Sequence, residues 1–197
     1  MKLKAYLAEL VGAFFLTAAV SVSLTVGTPL ATPVVAGITL GLFVYTVGAI
    51  SGAHLNPAVT IGLASVKKIG LKDAGLYVIF QIAGALLAML VVRALTGAET
   101  VLQVSNAWDL GIVEAIGAFI LVFGVSSVVW AKVDDDVSGL VIGGSLMLGI
   151  MLTGGLSNGV LNPAVAIGIG SISWMYLLAP VLGGVISAWV YKFLAGK

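Results

Sequence analysis

Four long stretches of the sequence contain no charged residue: 10–66, 74–92, 115–131 and 137–191. A transmembrane helix needs about 20 consecutive apolar residues to cross the hydrocarbon core of a bilayer. Charged residues make up 9% of the 197 residues, whereas a typical soluble domain has about a quarter. The sequence therefore predicts an all-α transmembrane protein, and it excludes a soluble enzyme and a nucleic-acid-binding protein.

Charges, glycines and prolines divide the chain into six apolar spans that are long enough to cross the membrane. They lie near 5–26, 33–50, 73–95, 108–131, 138–156 and 173–193. Two shorter apolar stretches remain, 56–66 and 162–171. A helix of about ten residues is about 15 Å long, half of the bilayer core. Such half-helices are tolerated at membrane depth only beside protein or a water-filled cavity, so we expect both to be re-entrant and to line a cavity.

The sequence also contains an internal repeat. ELVGAFFL at 9–16 recurs as EAIGAFIL at 114–121, LNPAVTIG at 55–62 recurs as LNPAVAIG at 161–168, and a weaker match joins 77–85 with 176–184. We interpret residues 1–197 as one transmembrane domain with repeats at 1–98 and 107–197, each with three spans and one half-helix. Because three is odd, the second repeat must be inverted in the membrane. Inverted repeats with broken helices place their functional site near the midplane, between the repeats.

Each half-helix begins with the same three residues, Asn56, Pro57 and Ala58 in the first and Asn162, Pro163 and Ala164 in the second. Proline suits the first helical position. An asparagine before it can accept a backbone N–H with its side-chain oxygen, which would leave both amide N–H groups for the cavity. A water that accepts hydrogen bonds from both amides cannot easily accept a proton from its neighbour, and two converging helix N-termini repel cations. The paired motifs predict a pore for neutral molecules.

With these motifs the whole chain resembles the aquaporin and glycerol-facilitator family. The resemblance rests on the two Asn-Pro-Ala motifs, a glutamate early in the first and fourth spans, and SGAHLNPAVT at 51–60. It implies six membrane-spanning helices and two re-entrant half-helices in two inverted repeats. It also implies a homotetramer with one pore per subunit, and passive permeation of water and small uncharged solutes across the lipid bilayer. We expect no enzymatic activity, cofactor or metal.

The resemblance also implies roles for three further residues. Glu9 and Glu114 would hold backbone N–H groups of the loops that enter the half-helices, and a proton relay is the alternative. His54 would line the cytoplasmic vestibule, where we expect it to bond loop backbone rather than act as a pH gate.

The position after the second Asn-Pro-Ala, where the family usually has an arginine, is Val165 in this chain. By spacing, the other three positions of the selectivity filter are Ala36, Ile150 and Gly159, and none is aromatic, histidine or charged. Such a filter would be wide and apolar, which predicts a weakly selective pore for water, glycerol and urea-like solutes, although an apolar ring can also oppose wetting. The alternatives are a strictly water-selective aquaporin, an inverted-repeat secondary transporter, and a structural membrane protein with a closed pore.

The basic residues predict the orientation in the membrane. One side of the predicted topology carries all the lysines, whereas Arg93 falls on the other: Lys2, Lys4, Lys67, Lys68, Lys72, Lys132, Lys192 and Lys197. The positive-inside rule then places both termini in the cytoplasm of a multi-pass plasma-membrane protein. Trp108 and Trp130 are expected at the two membrane interfaces of the fourth span.

Overall fold

The computed structural model describes residues 2–100 and 102–196, which form eight α-helices and one 3₁₀ turn, with no strand among them. Six helices are long and apolar enough to cross a membrane when the 3₁₀ turn Asp135–Val137 is counted with α6. These are α1 Lys2–Thr25, α2 Thr32–Ser51, α4 Leu71–Thr96, α5 Trp108–Val129, α6 Ser138–Thr153 and α8 Trp174–Leu194. The two short helices are α3 Pro57–Ser65 and α7 Pro163–Gly168. All eight predicted elements are confirmed, and their ends differ from the prediction by no more than three residues.

Helix α7 is shorter than the stretch 162–171 that the sequence predicts. It ends at Gly168, and Gly170 adopts a left-handed conformation with a φ of 78°. The Ser171 N–H then donates to the Ala166 carbonyl at 2.9 Å. This is a helix C-cap of the Schellman type, in which a left-handed glycine ends the helix and pairs carbonyls of its last turn.

The two halves of the chain pack in the same way. Helix α1 packs against α2 and α4, as α5 packs against α6 and α8, and α2 joins α6 across the two halves. Each half-helix packs against the last helix of the other half, α3 on α8 and α7 on α4. These matching contacts are those of two inverted repeats around a shared centre.

Contacts between distant segments define one end of the bundle. Lys2 Nζ lies 2.9 Å from Asp73 Oδ2, which joins the start of α1 to the start of α4. Lys68 Nζ lies 4.4 Å from the ring centroid of Trp130, which brings the connection after α3 to the end of α5. We call this end the lysine face, because the described lysines lie in the segments that meet there. Lys197 lies outside the described residues, and Arg93 lies near the other end of α4.

One of the two predicted interfacial tryptophans is buried. Trp108 is 75% exposed, as a residue at a membrane interface should be, whereas Trp130 is 7% exposed. The Trp130 ring packs against Tyr191 of α8 at a centroid distance of 5.8 Å and is covered by the Lys68 ammonium group. The Trp130 indole therefore does not face the membrane interface as a belt residue would, because tertiary contacts cover it.

Candidate functional site

The two asparagines of the Asn-Pro-Ala motifs cap the two half-helices. Asn56 Oδ1 accepts the Ala58 N–H at 2.8 Å, and Asn162 Oδ1 accepts the Ala164 N–H at 3.0 Å. The proline that follows each asparagine occupies the first helical position, where its missing N–H would have had no partner in the helix. The side-chain nitrogen of each amide consequently points away from its own helix.

Each asparagine also bonds to the loop of the opposite repeat. Asn56 Nδ2 donates to the Leu161 carbonyl, and Asn162 Nδ2 donates to the Leu55 carbonyl, both at 3.0 Å. An amide has two N–H donors, so each asparagine keeps one donor beyond this bond rather than the two expected from the sequence. The difference arises because the two motifs meet closely enough for each loop carbonyl to take one donor.

The loops before the two asparagines share an uncommon backbone conformation. Ala53 and Leu55 have φ values of 48° and 49°, and the matching Gly159 and Leu161 have values of 59° and 56°. A residue other than glycine pays about 1–2 kcal/mol for this left-handed conformation. Both loops therefore need specific contacts that hold them in place.

Glu9 supplies these contacts in the first repeat. Its Oε1 accepts the Ser51 hydroxyl at 2.6 Å and the His54 backbone N–H at 3.0 Å, and its Oε2 accepts the Leu55 N–H at 2.7 Å. The Glu9 side chain is fully buried in α1. Hydrogen bonds from several donors are what a carboxylate needs when it is removed from water.

Glu114 makes the same contacts in the second repeat. It accepts the Ser157 hydroxyl at 2.6 Å, the Val160 N–H at 3.1 Å and the Leu161 N–H at 2.8 Å. Both carboxylates thus bond the loops that enter the half-helices, as the resemblance implies. With these donors in place, neither carboxylate is left open to a passing ion.

A glycine one turn after each glutamate makes room for the loop. The Leu55 side chain occupies the space that a side chain at Gly12 would need, and Leu161 does the same at Gly117. Both leucines are fully buried. Sequence reasoning did not assign these residues a role, although the glycines and leucines belong to the two repeated motifs and could have been found there.

The first repeat adds a polar network behind Asn56. Gln81 Nε2 donates to Glu9 Oε2 at 2.8 Å and to Thr60 Oγ1 at 2.9 Å. Thr60 Oγ1 donates to the Asn56 carbonyl at 3.0 Å and lies 3.1 Å from His54 Nδ1. Because a hydroxyl has one proton, His54 Nδ1 must carry the hydrogen of that contact, which leaves Nε2 as the acceptor of the neutral ring. The ring bonds a threonine side chain, and not loop backbone as expected.

The second repeat has no counterpart of this network. Val160, Ala166 and Pro180 stand at the positions that match His54, Thr60 and Gln81. The polarity of the two halves therefore differs although their backbones match. The half that contains Asn162 is the more apolar one.

A cavity of about 470 Å³ opens beside Asn162, between residues of the first half and residues of this more apolar second half, and we call it the Asn162 cavity. It brings together Asn162 and all four predicted filter residues, Ala36, Ile150, Gly159 and Val165. Among the described residues that line the cavity, none is charged, and most of the others are aliphatic, including Leu16, Val20, Leu24, Leu146 and Ile169. Asn56 and His54 do not line it.

Comparisons with known proteins agree with this architecture. Nodulin-26 of Glycine max is 35% identical over 211 residues, which cover 98% of this chain and 78% of that protein. Aquaporin NIP1-2 of Arabidopsis thaliana is 32% identical over 219 residues, which cover 98% of this chain and 74% of that protein. The X-ray structure of the aquaglyceroporin from Plasmodium falciparum has the same fold, with a TM-score of 0.73 at 22% identity, over 98% of this chain and 96% of that one. The family model described as major intrinsic protein matches residues 1–191. The chain therefore belongs to the major intrinsic protein family.

Proposed function

We propose that this chain is a passive channel with a wide, weakly selective filter that admits water and small uncharged solutes such as glycerol and urea. The observation that carries the proposal is the Asn162 cavity, in which the four filter positions present only small or aliphatic side chains. Small side chains leave the pore wide, and a wall of this kind presents no charged group to a solute. Relatives named as aquaporins and a structural neighbour named as an aquaglyceroporin support water and glycerol as permeants.

We propose that the paired asparagines exclude protons and cations. Each amide keeps one N–H after it has bonded the opposite loop. A water between the two amides accepts both hydrogen bonds, so it cannot pass a proton along a single file of waters. The N-termini of α3 and α7 add positive partial charge at the same place.

The carboxylates argue against a secondary transporter. A coupled transporter needs ion-binding groups near the midplane. Glu9 and Glu114 are instead engaged by hydroxyl and amide donors of the loops beside them. We also propose a homotetramer, as the family resemblance implies, in the plasma membrane and with both termini in the cytoplasm, as the distribution of the basic residues predicts.

Stopped-flow light scattering on proteoliposomes tests the proposal. Water efflux under an impermeant osmolyte is compared with glycerol and urea entry, with protein-free vesicles as the baseline. We expect fast entry of both solutes. Fast water efflux with excluded solutes would indicate a strictly water-selective aquaporin, a flux that depends on an ion gradient would indicate a transporter, and baseline permeability for every solute would indicate a closed structural protein.

A further inference from the structure

Asn158 lies at the edge of the Asn162 cavity, next to the predicted filter residue Gly159. It also lines a second hollow of about 340 Å³, formed with Gln103, Val104 and Tyr176. Asn158 thus stands between the cavity and the connection from α4 to α5. None of the roles described above uses this residue.

The Asn158 side chain joins two segments that are distant in sequence. Its Nδ2 donates to the Gln103 carbonyl at 3.1 Å and to Ser171 Oγ at 2.8 Å, and its backbone N–H donates to the Tyr176 hydroxyl at 3.1 Å. A backbone carbonyl can only accept, so the contact with Gln103 defines which side of the amide faces the connection. Ser171 and Tyr176 are fully buried, so the asparagine is anchored to immobile partners on that side.

The repeat shows that the loop does not need this side chain in order to form. The matching residue of the first repeat is Gly52, which has no side chain. Gly52 is left-handed with a φ of 88° and Asn158 is not, but the residues that follow share their left-handed conformation, Leu55 and Leu161 among them, and the same bonds to a buried glutamate. Asn158 is therefore an addition to the repeated architecture, and its loss should leave the loop intact.

The connection that Asn158 holds has no regular secondary structure over its described residues between α4 and α5. Two other bonds join it to the start of α8. Ser173 Oγ donates to the Ser105 carbonyl at 2.9 Å, and the Trp174 N–H donates to Asn106 Oδ1 at 3.2 Å. Both are made by residues that do not line the Asn162 cavity. Asn158, in contrast, bonds the connection and also lines the Asn162 cavity.

From this placement we infer that Asn158 is a specificity-determining residue: the Gln103 carbonyl and Ser171 hold its side chain in the wall of the Asn162 cavity beside Gly159, where the held amide limits the width of the cavity. The inference rests on the proposed function, because it assigns a structural cause to the size limit of the proposed pore. Asn158 is not one of the four predicted filter residues. Loss or release of the Asn158 amide would leave the cavity wider at this place without changing the four filter residues.

The first test compares solutes of two sizes in proteoliposomes that contain Asn158→Ala. We expect the ratio of xylitol entry to glycerol entry to rise at least about twofold, as the Asn158 amide and the two hydrogen bonds that hold it are lost from the cavity wall. A smaller amount of folded channel would lower both fluxes by the same factor, so the ratio separates positioning from simple loss of protein. An unchanged ratio would overturn the assigned role.

The second test measures release of the connection directly. The chain has no cysteine, so Val104→Cys provides a single thiol beside Gln103. Adding Asn158→Ala to this variant should raise its maleimide labelling rate about fivefold, because the hydrogen bond to the Gln103 carbonyl no longer holds the segment. A labelling rate that does not change would refute the inference whether or not the pore conducts.

Asn106→Ala is the matched control, because it removes an asparagine bond from the same connection away from the cavity. We expect it to leave both the xylitol ratio and the labelling rate near the parent values. An equal effect of Asn106→Ala would assign the result to the connection in general, which would contradict a specific role of Asn158. Absence of glycerol and xylitol flux in the parent protein would instead refute the proposed function. The labelling comparison would still test whether Asn158 holds the connection at Gln103.

Discussion

At the scale of single residues, Val165 contributes an aliphatic side chain to the Asn162 cavity directly beside the central amide. It lies in the first turn of α7, and its backbone N–H is 3.4 Å from Asn162 Oδ1, so its place relative to the central amide is fixed. The side chain is buried and lines the cavity. An aliphatic group here offers neither a charge nor a hydrogen bond to a permeating molecule.

Val165→Arg should therefore narrow the pore and restore a charged donor to it. We expect glycerol and urea entry to fall at least about tenfold relative to water, since an increase of about 1.4 kcal/mol in the barrier has that effect on a rate. Stopped-flow measurement of all three fluxes on the same vesicles gives the ratio. A ratio equal to that of the parent protein would show that residue 165 does not line the constriction.

Val165→Thr is the control for this substitution. Threonine has nearly the shape of valine and adds a hydroxyl group. The pore should keep its width, so the ratio of glycerol entry to water efflux should stay near that of the parent protein and not fall as we expect with arginine. A collapse with threonine as well would point to misfolding around α7 rather than to pore width.

The central residues of the site could be predicted from the sequence because the chemistry of Asn-Pro-Ala is local. An asparagine followed by proline is an N-cap in almost any surroundings. The bond from each amide to the opposite loop is not local, because it depends on how closely the two repeats approach. The left-handed conformation of Leu55 and Leu161 could not be predicted from the sequence either. Leucine has no preference for that conformation and is held in it by a buried glutamate.

At the scale of elements, α2 and α6 cross at glycines of both helices, so the two backbones approach each other closely. A Cβ on Gly143 would meet the backbone of Gly41 at 3.1 to 3.2 Å and would lie still closer to the Gly37 carbonyl. A Cβ on the adjacent Gly144 would meet no atom within 4 Å. Small residues at such crossings let membrane helices pack by close van der Waals contact. The crossing also joins the two repeats and carries Ala36 and Ile150 to the cavity.

Gly143→Ala should therefore destabilise the protein, by about 1–3 kcal/mol, as overpacking usually does. Gly144→Ala should be neutral or stabilising by up to about 1 kcal/mol, because alanine is the better helix former. Thermal unfolding of both variants in detergent measures the difference. Equal shifts in Tm would contradict the close approach of the two helices.

Most of the elements could be predicted because charge and hydrophobic length decide where a helix crosses a bilayer. The end of α7 could not, since the left-handed turn at Gly170 is one of several places where a glycine could have stopped the helix. The burial of Trp130 was missed for a related reason. A tryptophan near the end of a span fits an interface, and only packing against Tyr191 and Lys68 shows that it is covered.

At the scale of the whole molecule, inversion of the repeats separates the charges. The described lysines lie in the helix ends and connections that meet on the lysine face, whereas Arg93 lies toward the opposite face and forms an ion pair with Glu99 at 2.7 Å. Lysine and arginine are retained on the cytoplasmic side during insertion. The whole chain, rather than any single loop, therefore biases the orientation.

Single-cysteine labelling tests this orientation, and the absence of native cysteine makes it direct. Thr28→Cys places an exposed thiol in the connection between α1 and α2, on the face opposite the lysines, and Gly70→Cys places one just before α4 on the lysine face. A membrane-impermeant maleimide applied to intact cells should label the Thr28→Cys variant and should reach the Gly70→Cys variant only after permeabilisation. The cysteine-free parent controls for background reaction. The reverse pattern would place both termini outside the cell, and it would mean that some other signal outweighs the charge on the lysine face.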